Sequence, residues 1–198
     1  MQKCHNAPRM LISPGFCFAL AFATFLIPLK WVVAWILAVA IHEMGHYIAI
    51  RLCSGSVYEV RIGFCGAAMC VELPNTRAEI ISAISGPFCG ALLVLLGKWF
   101  PRVAVCAFVQ TAYNFLPISG LDGWHVVRCV VKKRFPSHIS ERIMSCIEWA
   151  VLFGIFMFFI YISVLFRWTI ITVIGAVMLA AKAVFIKIPC KQRQQIVQ

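Results

Sequence analysis

The stretch WVVAWILAVAIHEMGHYIAI, residues 31–50, is apolar along most of its length but carries two histidines and a glutamate. An α-helix needs about 20 apolar residues to cross a bilayer, and ionisable groups inside such a helix are costly and functional by default. His42 and His46 are one helical turn apart, so both imidazoles can reach one metal ion, and Glu43 projects beside them. The pattern is typical of a zinc site in which the glutamate activates water. The alternative is a group of polar side chains that satisfy one another in a helix bundle.

The composition extends this membrane interpretation to the whole chain. Of 198 residues, 62% are hydrophobic and 13% are charged, against roughly 45–50% and about 25% in soluble domains. The formal net charge is +11, but the basic residues lie between and beside apolar runs rather than on a face interleaved with aromatic residues. The sequence therefore predicts a lipid bilayer as the surroundings and no nucleic-acid partner.

Six apolar segments organise the chain, and they predict an all-α polytopic membrane protein with about six transmembrane helices. They cover residues 15–29, 31–50, 79–97, 102–118, 144–166 and 168–186. The first could be a cleaved signal peptide, but the short connection to Trp31 favours a retained helix. We expect one membrane-embedded domain over residues 1–198, with a core at about 31–134 and a carboxy-terminal helix pair at about 143–186.

The distribution of basic residues predicts the orientation. If the amino terminus is cytoplasmic and the six helices alternate, most lysines and arginines, including the run Lys132, Lys133 and Arg134, fall on the cytoplasmic side. Both termini are then cytoplasmic. The ten cysteines lack paired CxxC spacing, and four of them lie inside or at the edge of apolar runs: Cys17, Cys89, Cys106 and Cys146. We therefore expect reduced, structural thiols, with a bond between Cys65 and Cys70 as the alternative.

One segment between the second and third apolar runs has a different period. From Val57 to Phe64 apolar and charged residues alternate, Cys65 and Gly66 offer a turn, and a second β-compatible run ends at Leu73. The pattern predicts either a small membrane-associated β-hairpin or a plain loop cover.

The third metal ligand has few candidates. Asp122 is the only aspartate and follows the fourth apolar run. In the predicted topology the second and fourth helices both run towards the cytoplasm, so His42, His46 and Asp122 arrive at a similar depth. The alternative role for Asp122 is a helix cap or turn residue in the break between Gly120 and Gly123.

These motifs together carry a resemblance to a known family. HEMGH on one predicted transmembrane helix, followed by an NxxPxxxLDG stretch from Asn114 to Gly123 on a later one, is similar to the site-2 protease family of intramembrane metalloproteases. Ser85-Gly86-Pro87 in the third helix also matches a family signature. The resemblance covers residues 31–134 and implies one Zn²⁺ per chain, held by His42, His46 and Asp122, with Glu43 activating water.

The six-helix layout most resembles the stage IV sporulation protein FB branch, whose members activate a sporulation sigma-factor precursor. The carboxy-terminal regulatory domain of that branch is not found in this sequence. The asparagine that commonly follows the Gly-Pro by three is also replaced, because position 90 is Gly90.

The resemblance implies a multi-pass protein of a bacterial cell membrane that cleaves membrane-associated proteins, such as a sigma-factor precursor or an anti-sigma factor, under a membrane inhibitor or regulator. Asn114 is a candidate for contacting the substrate backbone or the oxyanion, with an interhelical hydrogen bond as the alternative. Val60, Ile62 and Phe64 are candidates for a strand edge that binds an unwound substrate. The rival interpretations are a metal-binding membrane transporter and a non-catalytic membrane scaffold.

Overall fold

The computed structural model describes residues 9–63 and 66–166, and helices dominate this part of the chain. In chain order the elements are β1 (Arg9–Ile12), α1 (Pro14–Leu26), α2 (Leu29–Leu52), β2 (Ser56–Gly63), β3 (Gly66–Glu72), α3 (Thr76–Leu95) with a short 3-10 turn (Leu96–Lys98), α4 (Pro101–Asn114), α5 (Asp122–Arg134) and α6 (Ser137–Phe166).

Local sequence signals account for several helix ends. Ser13 caps α1 by accepting a hydrogen bond from the Phe16 amide, and Pro14 opens the helix. The Asn75 side chain caps α3 in the same way, with 2.8 Å from its Oδ1 to the Ala78 amide. Pro101 is the first residue of α4, where a missing amide hydrogen costs nothing.

The strands form a three-stranded sheet in the order β1-β2-β3. β2 and β3 are antiparallel and form the predicted hairpin, whereas β1 is parallel to β2 and places Met10 opposite Val60. β2 is therefore the middle strand. The expectation that Val60 and Ile62 form a free strand edge is wrong, because β1, which the sequence analysis did not predict, pairs along that side. Phe64 lies outside the described residues.

Small side chains allow the central helices to pack closely. α2 contacts both α3 and α4, and α5 packs on α3. Ala34 and Ala38 of α2 meet Cys106 and Ala107 of α4 in a buried cluster. Farther along α2, a side-chain carbon on Gly45 would come within 2.7 Å of the Ser85 carbonyl oxygen on α3. The histidine-bearing half of α2 is therefore held directly against α3.

Among residues 9–63 and 66–166, three helices are long and apolar enough to cross a membrane by length and composition: α2, α3 with its 3-10 turn, and α6. α1, with 13 residues, and α4, with 14, are shorter. The predicted fourth span ends at Asn114 rather than at residue 118, because a loop intervenes before the separate helix α5, which was not predicted. The predicted sixth span, residues 168–186, lies outside the described residues.

Candidate metal centre

Two histidines on one face of α2 belong to a buried polar cluster. His42 and His46 are 1% and 9% exposed, and their Nε2 atoms are 3.1 Å apart. Their rings meet edge to face. The four-residue spacing on one helix brings the two Nε2 atoms together in the interior, as predicted from the sequence.

Asp122 completes the cluster from the first turn of α5. Its Oδ2 lies 3.0 Å from His42 Nε2 and 3.2 Å from His46 Nε2. Burial alone would raise the pKa of this carboxyl, but hydrogen bonds from the two histidines and their charge hold it below its usual range. The N-terminal end of α5 also favours a negative group at this position. Asp122 is therefore suited to remain an anionic ligand.

The orientation of His46 is set by α3. Its Nδ1 lies 2.7 Å from the Ser82 carbonyl oxygen, which can accept its proton and leave the Nε2 lone pair free for a metal. Gly86 makes room for the ring, because a side-chain carbon there would lie 2.1 Å from His46 Nε2. The Ser85-Gly86-Pro87 stretch thus has a steric role in the site.

Asn114, the last residue of α4, reaches the same cluster. Its amide nitrogen lies 3.0 Å from His42 Nε2. The Nδ1 atom of His42 is buried without a hydrogen-bond partner among the described residues. Asn114 and Asp122 therefore approach one histidine nitrogen from the two ends of the loop that joins α4 to α5.

That loop requires glycine at two positions. A side-chain carbon on Gly123 would lie 2.2 Å from the Phe115 carbonyl oxygen, so the start of α5 can approach the end of α4 only with glycine there. Gly120 has a φ of +85°, which other residues rarely adopt. Both glycines help to turn the chain so that Asp122 faces His42.

Glu43 is half-buried beside the cluster and interacts electrostatically with both histidines and Asp122. Its carboxylate is not among the three side-chain atoms that converge. Its position beside them suits a group that exchanges a proton with a water molecule bound at the site, rather than one that coordinates a metal ion.

The three converging atoms fit a zinc ion. Ligand atoms about 2.0–2.2 Å from a tetrahedral Zn²⁺ lie roughly 3.3–3.6 Å apart, so the observed spacings of 3.0, 3.1 and 3.2 Å need only a small expansion. Two imidazoles and one carboxylate are a donor set of catalytic zinc sites, which keep a fourth position open. Within the described residues, these three form the one group of histidine, cysteine and acidic side chains suited to hold a metal.

Other residues of α5, α4 and β2 that could be expected near the site do not join this cluster. His125 lies 3.8 Å from Glu79 on α3, and both side chains are partly exposed. Thr111 occupies the space beside Gly90, where a side-chain carbon would meet its hydroxyl oxygen at 2.2 Å. Val60 and Ile62 lie in β2, away from any free edge.

Two residues that support the site were not predicted from the sequence. One is Ser82, whose role rests on a main-chain carbonyl that no side-chain pattern reveals. The other is Glu148 on α6, which accepts hydrogen bonds from the amide and hydroxyl of Ser119 in the loop before Asp122. A carboxylate inside an apolar run was a signal that could have identified Glu148.

The architecture resembles that of a solved structure, the site-2 protease from Methanocaldococcus jannaschii. The TM-score is 0.63, the similarity covers 91% of this chain and 91% of that chain, and the sequence identity is 15%. No family model and no curated protein matches the chain. The chain therefore shares the fold of that site-2 protease, and the predicted fold class, a helical polytopic membrane protein with a small hairpin after the second helix, is confirmed.

Proposed function

We propose that this chain is a zinc-dependent intramembrane endopeptidase of the site-2 protease type. The observation that carries the proposal is the meeting of His42, His46 and Asp122 within 3.2 Å of one another, with Glu43 beside them, in a fold shared with a site-2 protease.

In this proposal His42, His46 and Asp122 hold one Zn²⁺ per chain. When bound, zinc lowers the pKa of water and polarises a peptide carbonyl. Glu43 accepts the proton of the attacking water and returns it to the departing amine. The Asn114 amide, 3.0 Å from His42 Nε2, donates a hydrogen bond to the substrate backbone or to the developing oxyanion.

A transmembrane substrate must unwind before its carbonyl groups become accessible, and its backbone then needs new hydrogen-bond partners. β2 is paired on both sides, so we assign this role to the outer edge of β3, Gly66–Glu72. Strand addition at a sheet edge supplies main-chain hydrogen bonds with little dependence on side chains.

We extend the proposal to a membrane-associated protein substrate in regulated proteolysis, such as a sigma-factor precursor or an anti-sigma factor, with a membrane protein as inhibitor. The basic residues at the end of α5 support an orientation with both termini and the active site on the cytoplasmic side. The assignment to a bacterial cell membrane rests on the sequence resemblance. A sporulation role is the narrowest form of this proposal and rests on the sequence resemblance.

The test compares the native chain with Glu43→Gln in detergent and in lipid. We expect about one zinc ion in each protein, and cleavage of single-span fusion substrates by the native chain alone. Glu141→Gln is the matched control, since that side chain is 71% exposed. Equal cleavage by Glu43→Gln would refute the role of Glu43. Zinc binding with no cleavage of any substrate by the native chain would favour a transporter or scaffold.

A further inference from the structure

The loop between α4 and α5 joins two groups that meet at one atom. Asn114 precedes the loop and Asp122 follows it, and each places a polar atom 3.0 Å from His42 Nε2. The conformation of residues 115–121 therefore sets the positions of both groups relative to His42. A change in this loop would move a metal ligand and its polar neighbour together.

The middle of the loop is hydrogen-bonded to α6. The amide nitrogen of Ser119 lies 2.9 Å from Glu148 Oε1, and the Ser119 hydroxyl donates to the same oxygen. Ile118, on one side of Ser119, is 2% exposed, and Leu121 is 7% exposed. Two buried apolar side chains and two hydrogen bonds to one carboxylate oxygen thus hold the loop.

Glu148 is an unusual residue for its position. α6 is long and apolar enough to span a membrane, and little of that span is buried against the rest of the described chain. A carboxylate there is costly. Among the described residues Glu148 forms no ion pair, and its hydrogen bonds are the two from Ser119. Its placement is explained by the loop it holds rather than by a neighbouring charge.

We propose that Glu148 is a positioning residue that holds Asp122 and Asn114 at His42 through Ser119, so that the packing of α6 controls metal affinity. This inference rests on the proposed zinc site. Because one oxygen accepts both hydrogen bonds, the requirement is for an acceptor rather than a charge. Removing the acceptor leaves two donors of Ser119 unsatisfied, and the loop relaxes away from the cluster.

The experiment measures zinc affinity by competition with a chelator and the absorption spectrum of the Co²⁺-loaded protein in detergent. Glu148→Met removes the acceptor at similar size, and it should be tolerated because it makes α6 more apolar. We expect a 10- to 100-fold loss of zinc affinity, the usual range for residues that orient metal ligands, and a changed Co²⁺ spectrum. Glu148→Gln keeps a carbonyl oxygen and should stay within about threefold of the native affinity.

Two further variants separate positioning from general stability. Ser119→Ala removes one of the two donors and should cause a smaller loss, with no additional loss when combined with Glu148→Met. Glu141→Met is the matched control, because it changes the carboxylate of α6 that lies 3.9 Å from Arg128 on α5. It should leave zinc affinity and the Co²⁺ spectrum unchanged.

Native affinity and spectrum in Glu148→Met would overturn the inference, as would an equal loss in Glu141→Met or in Glu148→Gln. If Glu148→Met does not fold, unchanged affinity in Ser119→Ala would overturn it. These measurements do not require cleavage. A native chain that binds zinc but cleaves nothing would refute the proposed protease and leave this inference standing, whereas a native chain that binds no divalent metal would refute both.

Discussion

The imidazole of His46 occupies the space beside the α-carbon of Gly86 that any other side chain at position 86 would fill. A side-chain carbon there would lie 2.1 Å from Nε2 and 2.5 Å from Cε1 of His46. The ring also contacts the Ser82 carbonyl, one turn earlier on α3. Glycine on α3 thus determines where His46 of α2 presents the Nε2 nitrogen that faces His42 and Asp122.

Gly86→Ala should therefore displace His46 and reduce zinc affinity at least tenfold. His46 cannot retreat without losing its hydrogen bond to Ser82, which fixes its tautomer. Chelator competition measures the effect. Gly154→Ala on α6 is the control, because a side-chain carbon there has nothing within 4 Å, and it should leave zinc affinity unchanged. Normal zinc affinity in Gly86→Ala would contradict the steric role of Gly86.

Asn114→Ala tests whether the amide acts on the substrate. Loss of a hydrogen bond donor to a developing oxyanion lowers kcat by about 10²–10³-fold, and we expect a loss of that order with zinc content unchanged. The measurement is the cleavage rate per bound zinc. Reduced thermal stability with an unchanged rate per zinc would instead assign Asn114 to an interhelical hydrogen bond.

Proline substitutions along β3 test the proposed substrate edge. Successive backbone amides of a strand point towards opposite edges. Ala67→Pro and Ala68→Pro therefore each remove one amide hydrogen, and the two hydrogens lie on opposite edges of β3. At the position whose amide faces away from β2, we expect cleavage to fall at least tenfold with zinc content intact. The other position should disrupt the hairpin. If every variant that keeps zinc also keeps full activity, β3 is not the binding edge.

The Cys129 thiol on α5 should react slowly with maleimide in the folded protein. Burial, followed by the charge and hydrogen bond of Glu79, raises its pKa to about 11. Relative to a thiol with a pKa near 9, the reactive thiolate at pH 8 is about 100-fold scarcer. Maleimide labelling followed by peptide mapping should show Cys129 reacting at least 100-fold faster after denaturation.

The same shift has a consequence for stability. The pKa of Cys129 is higher in the folded protein than in the unfolded chain. Its contribution to the free energy of unfolding is therefore fully present below about pH 9 and is lost as the pH rises through about 11. Cys129→Ala should remove this alkaline loss from the pH dependence of unfolding. Fast labelling of Cys129 in the native protein would contradict the burial that underlies both expectations.

Much of the architecture follows from local patterns. Apolar runs of sufficient length predicted α2, α3 and α6, and alternation predicted the hairpin of β2 and β3. Four-residue spacing predicted the shared face of His42 and His46. α5 was missed because it has only 13 residues and ends in Lys132, Lys133 and Arg134, so it lacks the long apolar run that predicted the spanning helices. β1 was missed because four residues carry little pattern of their own.

Composition and helical period are enough to predict that the chain belongs in a bilayer and that two histidines and a glutamate share a turn of one helix. Which groups meet these side chains depends on tertiary packing. The contacts of His46 with Ser82 and Gly86, of His42 with Asn114 and Asp122, and of Ser119 with Glu148 join residues 29–80 positions apart. No local pattern encodes such contacts, since they depend on how closely the helices pack and on the path of the loop between α4 and α5.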